Sequence, residues 1–160
     1  MERKRDHRHE QLEREWLLLE DLCAARTDVT TAEGFHVMPL REEMPDTFGE
    51  LAQQYGGLMD QVLERRVYKV EHDVSEGIRL LAEELGFVKA GPRDVIDMHT
   101  TVLRIKVRGA LPQKAGVYAE EGRLMILELM GHLVSYYRRR CLASRTPQAV
   151  ESGVSGRLGA

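Results

Sequence analysis

The chain has 160 residues, 42% hydrophobic and 31% charged, with a formal net charge of −3, enough for one domain with a core of ordinary size. So near-neutral a balance argues against a dedicated nucleic-acid or anionic-membrane binder, since both carry a basic excess. Cys23 and Cys141 lie far apart and outside metal-ligand spacing, and the longest apolar run, LMILELM, is far short of a membrane span, so the expectation is a soluble, cytoplasmic protein with reduced thiols.

Met1 to Glu10 mixes basic and acidic residues with His7 and His9 and is expected to be a frayed, solvated start. From about Glu10 to Arg26, Leu12, Trp16, Leu19 and Leu22 or Cys23 recur at helical spacing, which predicts an amphipathic helix carrying the chain's one tryptophan. Two readings stand for it: the Trp16 and leucine face docks on the main domain, or the helix is an arm that contacts a partner. Thr27 to Pro45, rich in Thr, Asp, Glu, Gly and Pro, reads as a linker. Within it Phe35, Val37, Met38 and Leu40 are too apolar for a freely solvated loop and are expected as a short extended segment over the bundle. Residues 1–45 thus precede a bundle at 46–142, and 143–160 read as a disordered tail.

The bundle opens at Pro45, Asp46 and Thr47, with Glu50 three residues past Thr47 in the position of a capping box. From Phe48, an apolar period through Leu51, Tyr55, Val62, Val67, Val70, Val74, Ile78, Leu81 and Leu85 reaches Gly86 without a proline, longer than a typical globular helix. Polar Glu71, His72 and Asp73 mark a break or kink near 71–75, and the pattern leaves open whether 46–86 is one helix or two. Gly56 and Gly57 suggest a close helix crossing. Gly86 is expected to end this stretch, and Pro92 to open a helix to about Arg108, with Asp94 near its positive end. Gly109 and Pro112 close that helix, and Gln113 to Gly116 read as a turn or weak helical start.

Gly122 to Arg140, GRLMILELMGHLVSYYRRR, carries two apolar rows. Leu124, Leu127, Met130 or Gly131, Val134 and Tyr137 make one; Ile126, Leu129, Leu133 and Tyr136 make the other. A helix apolar nearly all round needs cover on both sides, which predicts a bundle on one side and a second subunit on the other. Ile126, Leu129 and Leu133 are the expected dimer interface.

The pattern holds no catalytic constellation: no phosphate loop, no nucleophile elbow, and no histidine or cysteine pair at metal spacing. No metal, no cofactor and no enzymatic activity are therefore expected. His99 and His132 sit in apolar helical surroundings, where a buried, hydrogen-bonded histidine competes with a phosphate-accepting one. Arg138, Arg139 and Arg140 suit the negative end of the helix and could also pair with acidic groups on a partner.

Two segments resemble a known family. Gly91, Pro92, Arg93, Asp94, Val95, Ile96, Asp97, Met98, His99, Val102 and Leu103 are similar to the third-helix entry of the KaiA C-terminal and RsbU N-terminal domain family. Arg123, Leu124, His132, Leu133, Tyr137, Arg138 and Arg139 are similar, at matching spacing, to the last helix of the KaiA C-terminal domain. The resemblance spans about residues 46–142 and leaves Met1 to Pro45 without a counterpart. It implies an all-α, antiparallel four-helix bundle, here with an extra N-terminal helix, that forms a homodimer.

Members of that family capture other proteins: the tail of a KaiC-like ATPase, or an RsbT-like kinase. The resemblance therefore implies a signalling regulator that modulates such a partner, with Arg123, His132, Tyr136, Tyr137, Arg138 and Arg139 as partner-binding residues and His99 structural. The alternatives are a homo-oligomeric assembly adaptor and a histidine phosphotransfer protein. For the N-terminal helix, completing the bundle, swapping between subunits and covering the partner groove all remain open.

Overall fold

The computed structural model describes residues 2–24 and 38–143, and their regular structure is all helical. The helices are α1 (Glu2–Ala24), α2 (Leu40–Glu43), α3 (Pro45–Tyr68), α4 (Val74–Phe87), α5 (Pro92–Arg108) and α6 (Pro112–Ala143). None of them is long and apolar enough to cross a membrane. Ala143, expected to begin the tail, is the last residue of α6; the rest of the expected tail at 143–160 and most of the expected linker, Phe35 and Val37 included, lie outside the described residues.

α1 begins at Glu2, so the stretch expected to be frayed is helical. Acids and bases three and four apart, such as His7 and Glu10 at 3.9 Å, suit a solvated helix. Leu40 opens the single turn of α2 rather than an extended segment, and it is fully buried. Asp94 fastens it there: Oδ1 accepts the Leu40 N–H at 2.8 Å while Oδ2 accepts the Gly91 N–H at 2.8 Å. One buried carboxylate thus caps α5 and anchors α2. Arg41 continues the anchorage, its Nε 2.9 Å from Asp97 Oδ2 and its guanidinium 4.7 Å above the Phe48 ring centroid.

Pro45 occupies the first turn of α3, where its missing N–H costs nothing. Because the helix starts there, the capping box expected at Thr47 and Glu50 does not form; Met44 holds the cap position without a side-chain bond. The long apolar period from Phe48 resolves into two helices. Lys69 turns the chain with a left-handed φ of 55°, and Asp73 restarts it by accepting the Glu76 N–H at 3.1 Å. At the other end of α4, Gly86 is a buried helical residue rather than the stop, and Lys89 takes the left-handed turn with φ 56°. α6 already starts at Pro112, so Gln113 to Gly116 are helical.

α6 packs on α4 and α5, while α3 packs on α4, α5 and α6. Between them lies one core, with Tyr55, Met59, Ile78, Leu81, Leu85, Val95, Met98 and Leu129 nearly or wholly buried. Of the expected crossing glycines, Gly57 faces open space, while a Cβ on Gly56 would make ordinary contact with Val102 at 3.4 Å. The tight approaches are elsewhere. A Cβ on Gly77 would stand 2.4 Å from Leu58 Cδ2, and one on Gly122 3.2 Å from His99 Cε1.

The two rows of α6 change places relative to expectation. Leu129 and Leu133, expected at a dimer interface, are 0% and 2% exposed inside the single chain, in line with Met125 at 3%. Ile126 is half-buried against the same core. The row left in water is Leu124, Leu127 and Val134, at 62%, 70% and 55% exposure.

Candidate functional site

α6 presents three surfaces, and the residues expected to form one partner site are divided among them. Arg123 and His132 are nine residues apart, about two and a half turns at 3.6 residues per turn, which sets them on opposite flanks. They do not form one patch.

The first flank meets α1 and α5. Arg123 grips Glu15 of α1 in a fork, Nη2 to Oε1 at 2.7 Å and Nε to Oε2 at 3.0 Å. Arg104 of α5 pairs with Glu20 of α1, and its guanidinium carbon lies 5.6 Å from the Trp16 ring centroid. α1 therefore bridges α5 and α6 through Glu15, Trp16 and Glu20. Of the expected docking face, Trp16 and Leu19 are half-buried and Leu22 is exposed; Leu17 and Leu18, off that face, are exposed as well. The Trp16 indole N–H is shut off from water with no acceptor among the described residues, an omission worth about 1–3 kcal/mol.

The second flank meets α4. His132 Nε2 is 3.9 Å from Glu128 Oε1, within electrostatic reach of Glu76. The Arg79 hydrogen bond holds Glu76 below the usual carboxylate range, and His132 acts in the same direction. Arg79 also donates to Glu83 at 2.7 Å, and Arg139 stands 3.8 Å from the same carboxylate. Tyr136 lies on Gly86, and Arg140 donates to its hydroxyl at 2.8 Å. Tyr137 reaches past it, donating to the Ala90 carbonyl at 2.9 Å, and burial pushes its phenol up to about 12. The two tyrosines tie the end of α6 to the α4–α5 turn.

The third surface is the outer ridge. Leu124, Leu127, Gly131 and Val134 recur at alternating steps of three and four, with Arg138 and Cys141 continuing the series. That is the spacing of a helix–helix seam. A Cβ on Gly131 would meet nothing within 4 Å, so the middle of the ridge is low and open. Arg138 and Cys141 are exposed.

His99 belongs to the interior. It is 2% exposed, its Nδ1 shares a 2.8 Å hydrogen bond with the Tyr55 hydroxyl, and its ring meets that of Tyr55 edge-on at 5.8 Å. Burial lowers its pKa to about 4 and raises that of Tyr55, so both are neutral at pH 7. Asp60 makes a second polar tie. It accepts from Lys106 Nζ at 2.5 Å and from Tyr118 at 2.7 Å, joining α3 to α5 and α6. Burial, then the Asp60 bond, pushes the Tyr118 phenol up to about 12.

Sequence reasoning missed one further feature. Between α3 and α4 lies an open groove of about 420 Å³ with Leu51, Leu80, Phe87 and Val88 along it and Glu50, Glu83 and Glu84 at its edge. Phe87 is 79% exposed, and the only sequence signal for it is an aromatic residue next to the helix end. Among the described residues no group of three or more His, Cys, Asp or Glu is placed to hold a metal ion. No family model matches the chain, and no curated protein or solved structure matches it.

Proposed function

We propose that this chain is a non-enzymatic signalling regulator that works as a homodimer and captures a segment of a partner ATPase or kinase, KaiC-like or RsbT-like. In this reading α3 to α6 act as an antiparallel four-helix bundle, and the second subunit covers the outer ridge of α6. The observation that carries it is the exposed row Leu124, Leu127 and Val134. An exposed apolar helical row with seam spacing is the mark of an interface. A second copy is the fitting occupant, since such a row is complementary to itself and Gly131 lets two helices approach closely. Two such helices would place two Arg123 flanks and two His132 flanks on one assembly. Paired clefts of this kind suit peptide capture, with apolar anchors buried and charged rims setting the register.

The test has two parts. Light scattering on the wild-type chain and on Leu127→Glu measures the dimer; a monomeric wild type ends the dimer reading. Phosphorylation of a purified KaiC-like ATPase, and activity of an RsbT-like kinase, with and without the chain, measures the regulatory part. No change in either at saturating chain shifts the reading to an assembly adaptor, which the same exposed row also favours. For a histidine phosphotransfer role, the other alternative, His99 is enclosed by the core, which leaves the half-exposed His132 beside Glu128 as its candidate.

A further inference from the structure

α1 sits on the bundle more as an occupant than as a member. Among its residues with described side chains none is fully buried. The ties its described side chains show share one chemistry: Glu15 in the fork of Arg123, Glu20 on Arg104, and the Trp16 ring beside the Arg104 guanidinium. Its indole N–H has lost water without gaining an acceptor among the described residues. A helix evolved only to complete the core would bury its leucines, yet Leu17, Leu18 and Leu22 are exposed.

We propose that the cleft framed by Arg104 of α5 and Arg123 of α6 is a docking site for an acidic amphipathic helix of a partner protein, and that α1 occupies this site in cis until such a helix displaces it. The inference rests on the reading of Arg123 as a partner contact and names the chemistry of that partner. Two guanidinium groups on neighbouring helices select carboxylates, which they hold in planar, forked pairs. The space between them takes an aromatic anchor against a cation. α1 shows the pattern that fits: a carboxylate, an aromatic residue beside it, a leucine three further on and a second carboxylate next to that, as in Glu15, Trp16, Leu19 and Glu20. A partner helix that adds an acceptor for the aromatic N–H would bind better than α1 does. Because α1 is tethered, it holds the cleft at high effective concentration, and a partner's apparent affinity falls by the fraction of chains left open.

The experiment titrates an N-terminally labelled peptide of residues 2–24 with full-length chains and reads fluorescence anisotropy. A Glu15→Lys, Glu20→Lys chain, whose own arm is released, should bind the peptide at least tenfold more tightly than the wild type. Adding Arg104→Glu and Arg123→Glu to a Trp16→Ala arm-released chain should abolish binding. A second helix-forming peptide carries only the Glu, Trp, Leu and Glu of positions 15, 16, 19 and 20 on an alanine and glutamine background; it should bind within tenfold of the first. Equal binding to wild-type and released chains, binding that survives loss of both arginines, or failure of the second peptide would each overturn the proposal.

If the released chain does not fold, the wild type suffices. Emission of Trp16, the chain's one tryptophan, is followed during titration with the residue 2–24 peptide carrying Phe at position 16. A red shift supports displacement, and unchanged emission at excess peptide overturns it. A dimer that arm release abolishes would make the occupant the α1 of a second copy and end partner capture. None of these readouts involves an ATPase or kinase. Peptide capture with no effect on such enzymes would sink the proposed regulatory function and leave the docking site standing.

Discussion

Gly86 of α4 lies directly under the ring of Tyr136 of α6: a Cβ at residue 86 would stand 2.3 Å from Tyr136 Cδ1 and 2.4 Å from Cε1. The ring has little room to yield. It meets Tyr137 edge-on at 5.5 Å, and its hydroxyl is held by Arg140. Helix propensity alone favours Gly86→Ala by about 1 kcal/mol, but overpacking of a fixed ring costs about 1–3 kcal/mol. Urea unfolding should show net destabilisation for Gly86→Ala, and Tyr136→Ala in the same background should remove the added penalty. Independent, additive effects would show that the two residues are not coupled.

His99 makes stability depend on pH. Its pKa falls from 6.5 to about 4 in the folded chain because it is buried, so between those values the unfolded chain takes up a proton that the folded chain refuses. Stability is therefore unaffected by this group above about pH 6.5 and declines as pH falls towards 4, by on the order of 3 kcal/mol in all. His99→Gln should flatten that part of the profile in denaturant titrations from pH 7 to pH 4. An unchanged slope would assign it to other groups.

Asp94 satisfies two N–H groups far apart in sequence, those of Leu40 and Gly91. Asp94→Ala leaves both unpaired beside a buried Leu40, and the loss should be about 2–5 kcal/mol. Asp94→Asn keeps one acceptor and should lose about half as much. Amide hydrogen exchange checks the geometry: the Leu40 and Gly91 amides should lose protection first. Protection unchanged in the alanine variant would break the link between α2 and α5.

Leu127 and Leu129 separate surface from core. Leu129→Glu places a charge at a fully buried site and should unfold the chain or cost several kcal/mol, on the order of 3–5. Leu127→Glu, at 70% exposure, should leave melting of a monomer almost unchanged and act on association alone. Circular dichroism with light scattering distinguishes the two. A folded Leu129→Glu chain would contradict the placement of that row.

Much of the helical plan was legible in the sequence because its signals are local. Pro92 and Gly109 bound α5 where punctuation predicts, and the polar Glu71, His72 and Asp73 fall where α3 gives way to α4. Periodicity also established that α6 has two apolar rows. It had no means of saying which row turns inward, since both have helical spacing and only the packing of α3 to α5 against α6 selects Met125, Leu129 and Leu133. Glycine is ambiguous for the same reason. Gly86 reads as a helix stop beside a connector, yet its task is set by a ring fifty residues later.

The candidate site was less legible still. The sequence determined which residues α6 carries, among them Arg123, His132, Tyr136, Tyr137 and Arg138, but one helix shows its residues to every side. The tertiary structure decided that Arg123 faces α1, that His132 faces α4 and that the tyrosines close the α4–α5 turn. It also decided that Glu15 and Arg123, 108 residues apart, meet in a fork. A local pattern encodes how a segment coils, because its causes lie within a few residues; what a side chain faces depends on the arrival of segments from elsewhere in the chain.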